Sequence, residues 1–111
     1  MQLVRALRRT EAPVPAERDR ALAVYRRHAM RAMREERWVA ASIFFDRMLE
    51  VDPRNTEAIL MKGYLAEHCA GDPGRALECY RKVIDLCGPD AAGPHAESAR
   101  SGIARIVRRW S

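Results

Sequence analysis

The sequence lacks the features that mark membrane proteins and disulfide-bonded proteins. No apolar run approaches the ~18 residues that a membrane span requires, and the N-terminal arginines are not followed by the continuous apolar segment of a signal peptide. Cys69, Cys79 and Cys87 form no Cys-x-x-Cys pair and are odd in number. This argues against a disulfide framework and favours the cytoplasm. We expect the three cysteines to be small core residues.

Recognisable catalytic motifs are also missing. The sequence has no Gly-rich phosphate loop, and His28, His68 and His95 are isolated from any Ser/His/Asp or Cys/His set. His68, Cys69 and Cys79 come nearest to a metal site, but zinc sites normally show close, paired ligand spacings. We therefore expect a protein that is not an enzyme and that carries no metal or cofactor.

Lysine is scarce although the chain is basic. The 111 residues carry a formal net charge of +5, and of the 20 basic residues only Lys62 and Lys82 are lysines. Arginine binds carboxylate and phosphate groups through a planar fork, which favours an acidic partner. A GC-rich genome would produce the same arginine excess without a functional reason. The length is that of a single domain with one modest core.

Two long helices are predicted for the first half of the chain. The stretch Ala16–Glu36 contains no Gly or Pro. Its residues at the three- or four-residue spacing of a buried helix face are Leu22, Tyr25, Ala29, Ala32 and Met33. In the next stretch, Arg37–Pro53, the corresponding residues are Trp38, Ala41, Phe45, Met48 and Val51. The turn between the two stretches is short, so we expect the helices to be antiparallel neighbours.

Three further helices are predicted, which makes the fold class all-α. They run from Thr56 to about Ala70, from Pro73 to about Leu86, and from His95 to Trp110, with a loop at Cys87–Pro94. Their expected buried faces are Ile59, Gly63 and Ala66; Ala76, Tyr80, Val83 and Leu86; and Ala99, Ile103, Ile106 and Trp110. We expect the last helix to turn Arg100, Arg105, Arg108 and Arg109 towards water.

The N-terminus is predicted to be a separate arm. Leu3, Val4 and Leu7 alternate with arginines, but the sequence Glu11–Pro15 interrupts this pattern with two prolines. Residues 1–15 would therefore form the arm and residues 16–111 the helical domain. Either the arm or a second copy of the chain, in a homodimer, could cover the first helix pair.

The two halves of the helical domain repeat one another. Four pairs of residues are separated by 35 positions: Ala41 and Ala76, Phe45 and Tyr80, Met48 and Val83, and Val51 and Leu86. Three pairs are separated by 34: Tyr25 and Ile59, Ala29 and Gly63, and Ala32 and Ala66. A repeat of this period indicates a solenoid of helix pairs.

At these residues the chain resembles the tetratricopeptide repeat (TPR) family, whose unit combines small residues, an aromatic and a closing proline. The first copy has Tyr25, Ala29, Trp38, Ala41, Phe45 and Pro53, and the second has Gly63, Tyr64, Ala76, Tyr80 and Pro89. His28 and Lys62 depart from the usual leucine. The resemblance implies a right-handed α-solenoid of antiparallel helix pairs, with repeats at about 18–55 and 56–89 and a capping helix at 95–110.

The resemblance also implies a function, because the first helix of each pair in this family lines a concave groove that holds a peptide or helix of a partner. The groove positions here would be Arg26, Arg27, Met30, Met33, Arg34, Leu60, Met61, Tyr64, Glu67 and His68. Methionines and aromatics would contact an apolar segment and arginines its acidic flanks. We expect an adapter or chaperone-like protein, of a size similar to small bacterial members of the family.

Nucleic-acid binding is the alternative prediction. Arginines occur in three groups that could form a basic stripe: Arg5, Arg8 and Arg9; Arg26, Arg27, Arg31 and Arg34; and Arg105, Arg108 and Arg109, followed by Trp110. No recognition motif accompanies them. We therefore favour a protein partner over a nucleic acid.

Overall fold

The computed structural model describes residues 14–110, and within them it contains helices and turns but no strand. The five helices are α1 (Pro15–Arg34), α2 (Trp38–Val51), α3 (Thr56–His68), α4 (Pro73–Cys87) and α5 (Pro94–Trp110). The all-α prediction is confirmed, and the predicted helices differ from the observed ones by a few terminal residues. Of the predicted arm, only Val14 and Pro15 are described, and Pro15 belongs to α1.

Residues suited to helix starts explain where α1, α3 and α4 begin. Pro15 and Pro73 occupy first helical positions, where the missing N–H removes no hydrogen bond. The Asn55 side chain accepts a hydrogen bond from the N–H of Ala58 at 2.9 Å. Asp72 does the same for the N–H of Arg75 at 3.1 Å. These caps satisfy donors that the first turn of a helix leaves without partners.

The end of α1 requires an unusual backbone conformation. The N–H of Arg37 donates to the carbonyl of Ala32 at 2.8 Å, and that of Glu36 donates to Met33 at 3.1 Å. This pair of bonds closes a Schellman motif, which needs a residue with positive φ between the helix and the next segment. Glu36 takes that role with φ 57°. A residue with a Cβ is strained there, so glycine is the usual choice.

The packing divides into two hydrophobic clusters. The first contains buried residues of α1 and α2, together with Ala58 and Leu65 of α3. The second joins α3, α4 and α5 around Tyr80 and Ala99, and Leu49 packs against both clusters. Helix α3 packs against α2, α4 and α5, whereas the Cα atoms of α1 come within 8 Å of those of α2 alone within residues 14–110. Helix α3 therefore links the first helix pair to the rest of the protein.

Most of the predicted core is buried. Ala29, Ala41, Ala76 and Ala99 are fully buried, and the aromatic positions Phe45 and Tyr80 have exposed fractions of 0% and 2%. The space around Tyr80 is tight, since a Cβ added to Gly63 would lie 2.7 Å from its Cε1 atom. The small residues thus allow the close helix approach that the sequence predicts.

Four predicted core positions are wrong. Trp38 and Trp110 are the first and last residues of their helices and are exposed by 36% and 67%. Cys69 and Cys87 are exposed, and they are the C-cap of α3 and the last residue of α4. Cys79 is half-buried, and all three are free thiols. Helical periodicity does not show where a helix extends beyond its neighbours.

None of the helices in residues 14–110 combines the length and apolar character needed to cross a bilayer.

Candidate functional site

A surface depression between α3 and α5 contains three of the predicted groove residues. Leu60, Met61 and Tyr64 of α3 line a depression of about 480 Å³. Tyr64 is 42% exposed, and the centroid of its ring lies 4.5 Å from the centroid of the His68 ring. The opposite wall belongs to α5 and comprises Pro94, Glu97, Ser98, Ser101 and Arg105. An apolar floor with a polar wall is suited to binding a peptide side chain.

The predicted groove residue Glu67 is held inside the protein by its neighbours. Its side chain is only 9% exposed. Its Oε1 accepts a hydrogen bond from the Tyr80 hydroxyl at 2.6 Å, and both its oxygens accept from the Arg105 guanidinium at 3.0 Å. His68 Nε2 lies 3.3 Å from Oε1. The carboxylate therefore joins α3, α4 and α5.

This contact network alters the acidity of its members. The hydrogen bond from Arg105 lowers the pKa of Glu67, although burial acts in the opposite direction. Burial raises the pKa of the Tyr80 phenol, and its hydrogen bond to Glu67 raises it further. The hydrogen bond to Glu67 likewise raises the pKa of Arg105. At neutral pH the network therefore has an ionised carboxylate and guanidinium and a protonated phenol.

Helix α1 reaches α3 through a single ion pair on this side of the protein. Arg26 Nε and Nη2 donate to the two Glu57 oxygens at 2.6 and 3.0 Å. The bond to Glu57 raises the pKa of Arg26, but both side chains remain partly exposed. An exposed pair of this kind is worth at most about 1 kcal/mol. Arg26 is therefore already engaged with a carboxylate of the same chain.

The other predicted groove residues of α1 do not reach the α3–α5 depression. Met30 and Met33 are half-buried and pack against the first hydrophobic cluster. Arg27 and Arg34 are exposed and form no ion pair within residues 14–110. Among the predicted site residues, these two arginines are consequently the ones whose charge is not neutralised by another described residue.

His28 and Lys62, which stand where the resembled repeat usually has leucine, both have partners on α2. His28, in place of leucine, stacks on Phe44 with ring centroids 5.0 Å apart. Lys62 forms an ion pair with Asp46, which ties α3 to α2. Each of the two side chains thus has a specific partner on α2.

Within residues 14–110, neither the potential metal ligands nor the arginines of the predicted basic stripe form a compact cluster. Among the described residues, no group of three or more His, Cys, Asp or Glu side chains lies close enough to hold a metal ion. Arg26 and Arg105 pair with Glu57 and Glu67, so their charges are neutralised locally. Arg108 and Arg109 are exposed beside Trp110 at the end of α5.

Sequence reasoning missed the serines of α5 and an apolar surface on α2. Val39 and Ile43 are 76% and 49% exposed and lie one turn apart. Their spacing of four residues is visible in the sequence as a second apolar stripe beside the Ala41–Phe45 face. The signal that could have revealed this surface was therefore present.

Comparisons with family models, curated proteins and solved structures find no match to this chain.

Proposed function

We propose that this chain is a TPR-like protein-interaction module that binds a peptide or helix of a partner against α1, α3 and α5. In this proposal the α1–α2 and α3–α4 pairs are two antiparallel repeats of a right-handed solenoid and α5 is the cap. The protein would act in the cytoplasm as an adapter or chaperone. Its bound segment would be apolar with acidic flanks.

The observation that carries the proposal is the depression beside Tyr64. Leu60, Met61 and Tyr64 offer apolar contacts at the surface, and Ser98 and Ser101 offer hydroxyl groups across from them. A half-exposed tyrosine is a favourable anchor, because it gives a large contact area while losing little conformational freedom on binding. A depression of about 480 Å³ is large enough to accept one or two side chains of an extended peptide.

The repeated packing pattern supports the scaffold. Ala41 and Phe45 of α2 are buried in the same way as Ala76 and Tyr80 of α4, 35 residues later. Hydrogen bonds and packing also attach α5 to this scaffold. One such bond joins Thr56 Oγ1 and His95 Nδ1 at 3.0 Å. These features are the ones expected of two similar helix pairs followed by a cap.

The acidic flanks of the bound segment are inferred from the unpaired arginines. Arg26 is paired with Glu57 and Glu67 with Arg105, so these residues offer little charge to a partner. Arg27 and Arg34 of α1 are exposed and have no ion-pair partner within residues 14–110. They would attract carboxylates that flank the apolar segment and increase the association rate.

A peptide selection would test the proposal. A random peptide library would be selected against the full chain and counter-selected against the Tyr64→Ala variant. We expect apolar peptides with acidic flanks, whose NMR footprint includes Leu60, Met61 and Tyr64. Tyr64→Ala should weaken their binding by about tenfold or more, which corresponds to the loss of a contact worth about 1.4 kcal/mol.

Val24→Ser provides the matched control. Val24 is an exposed apolar residue of α1 and does not line the depression beside Tyr64. This variant should bind selected peptides like the wild type. Peptides that bind Tyr64→Ala as well as the wild type would contradict the proposed groove. Selection of nucleic acids in preference to peptides, with affinity falling steeply with salt, would favour the alternative function.

A further inference from the structure

The depression beside Tyr64 has one charge that the protein itself does not neutralise. Of the described residues that line it, Glu97 and Arg105 are charged. Arg105 donates through Nε and Nη2 to the two Glu67 oxygens, each at 3.0 Å, so its charge is balanced within the chain. Glu97 is exposed and forms no ion pair within residues 14–110. The remaining charge of the depression is therefore negative.

The negative charge lies at one end of the α5 wall. Glu97, Ser101 and Arg105 follow one another at four-residue intervals and all line the depression. Each interval is about 6 Å along a helix, so Glu97 and Arg105 are separated by about 12 Å along α5. Ser98 is next to Glu97 in the chain and lines the depression too. The carboxylate and the two hydroxyl groups thus form a polar end apart from the Arg105–Glu67 pair.

The α3 floor is apolar and suits the stem of a long side chain. Leu60 and Met61 are half-buried there, and the Tyr64 ring is half-exposed. Lysine and arginine combine an apolar stem with a charged head. The stem would pack on this floor, and the head would be attracted to the face of the Tyr64 ring and to the Glu97 carboxylate. A wholly apolar side chain would cover that carboxylate without pairing with it, and an acidic one would face a like charge.

We propose that the side chain entering the depression is a lysine or arginine of the bound segment, and that Glu97 is the residue that selects it. The inference rests on the proposed function, because it names what the same site recognises. Ser98 and Ser101 accept hydrogen bonds from the remaining N–H groups of the charged head. The acidic flanks of the segment pair with Arg27 and Arg34 on α1, so the segment carries opposite charges where it crosses α5 and α1.

Arg105 is unsuited to binding an acidic side chain in the depression. A partner carboxylate would have to compete with Glu67 for the guanidinium. The Glu67 side chain is only 9% exposed and also accepts a hydrogen bond from the Tyr80 hydroxyl at 2.6 Å. Displacing it would leave a nearly buried carboxylate without its charged donor, which costs more than an exposed ion pair returns. Arg105 is therefore part of the wall.

Synthetic peptides would test this choice of side chain. A peptide selected against the full chain would be labelled with fluorescein and made with Lys, Arg, Leu or Glu at the position that NMR places against Tyr64. We would measure binding by anisotropy. The Lys and Arg forms should bind about three- to fivefold more tightly than the Leu form and at least about tenfold more tightly than the Glu form. The advantage over Leu should shrink at about 1 M salt, where charges are screened within about 3 Å.

Variants of Glu97 would show whether this residue makes the selection. Glu97→Arg should weaken the Lys form by about tenfold or more and make the Glu form the preferred one. Glu97→Gln, which keeps the shape of the side chain, should bind the Leu form like the wild type and reduce the advantage of Lys to less than about twofold. Circular dichroism should show the helical content of the wild type, because Glu97 is exposed.

Glu78→Arg provides the matched control. Glu78 of α4 is an exposed acid without an ion pair within residues 14–110, and it does not line this depression. The variant changes the net charge by the same amount as Glu97→Arg and should leave the order of the four peptides unchanged. An equal loss of the Lys preference in both variants would assign the effect to net charge and overturn the inference.

Other outcomes separate this inference from the proposed function. Peptides that contact Tyr64 but prefer Leu or Glu at this position would overturn the inference and leave the proposed function intact. An unchanged Lys preference in Glu97→Arg would overturn the role of Glu97. A selection that yields no peptide, or peptides that do not contact Tyr64, would overturn both.

Discussion

Phe45 in α2 and Tyr80 in α4 stand 35 residues apart and are both buried, but their surroundings differ. Phe45 belongs to an apolar cluster shared mainly by α1 and α2. The Tyr80 ring contacts α3 and α5, and its hydroxyl donates to Glu67. Both aromatic rings therefore fill space in the core. The hydroxyl group of Tyr80, which Phe45 lacks, also orients the Glu67 carboxylate between helices.

The turns within the two helix pairs share a backbone conformation but differ in the residue that adopts it. Glu36 and Gly71 are also 35 residues apart, and their φ angles are 57° and 63°. The same left-handed conformation is thus occupied by a strained residue in the first pair and by an unstrained one in the second. The first pair has the more strained turn as well as the looser attachment to the rest of the protein.

The largest expected effect comes from removing either aromatic. Phe45→Ala and Tyr80→Ala should each lower the free energy of unfolding by about 3–5 kcal/mol, because each leaves a cavity in a packed core. Tyr80→Ala should have the larger effect, since Glu67 also loses a hydrogen-bond donor. Urea denaturation followed by circular dichroism would measure both. In Tyr80→Phe, which keeps the ring, the loss should be only about 1 kcal/mol.

The next largest difference in stability is expected between variants of the two paired carboxylates of α3, Glu67 and Glu57. Glu67→Gln should lower the free energy of unfolding by about 1.5–3 kcal/mol, because it weakens charge-assisted bonds to Arg105 in a nearly buried site. Glu57→Gln removes the exposed pair with Arg26 and should cost less than about 1 kcal/mol. Equal losses in the two variants, measured in the same denaturation experiment, would contradict the role given to Glu67.

The pH dependence of stability should come with the same carboxylate. The pKa of Glu67 is lower in the folded protein than its ordinary value of 4.5. As the pH falls below 4.5, the unfolded chain therefore binds more protons at this residue than the folded protein does. The stabilisation is present above that value and is lost as the pH falls through the lower pKa of the folded state. Glu67→Gln should have a flatter stability profile in this range than Glu57→Gln.

A third comparison concerns the space beside Tyr80. A Cβ added to Gly102 would clash with Cε2 of Tyr80, so Gly102→Ala must displace the ring or α5. We expect a net loss of about 1–2 kcal/mol, since the strain exceeds the helix propensity gained. Gly74→Ala is the matched control, because its nearest neighbour would be 3.8 Å away. If both variants were equally stabilised in thermal unfolding, the close contact would be disproved.

The smallest expected effect is a gain at the turn of the first pair. Glu36→Gly should raise the free energy of unfolding by about 1 kcal/mol, because glycine adopts a positive φ without a Cβ clash. Gly71→Ala should lower it by a similar amount. Thermal unfolding would measure both variants, and Glu35→Gly, one residue earlier at φ −87°, should show no gain.

The sequence was sufficient to predict the helices and most of the buried residues. The Ala41–Phe45 and Ala76–Tyr80 pairs follow a local periodicity that depends only on helix geometry. Trp38 and Trp110 were mispredicted because periodicity shows the direction of a side chain but not whether another element covers it. The same limit applies to the site: Tyr64 and Leu60 could be chosen from helix faces, but the serines opposite them could not.

The amino-acid sequence by itself determined the five helices of residues 14–110 and the small and aromatic residues at which they pack. These properties depend on neighbours within about four residues along the chain. Only the tertiary structure decided that Glu67 meets Tyr80 and Arg105 and that α2 and α4 remain apart. Such contacts depend on the distances and angles between whole helices, which small differences in side-chain volume across α3 control.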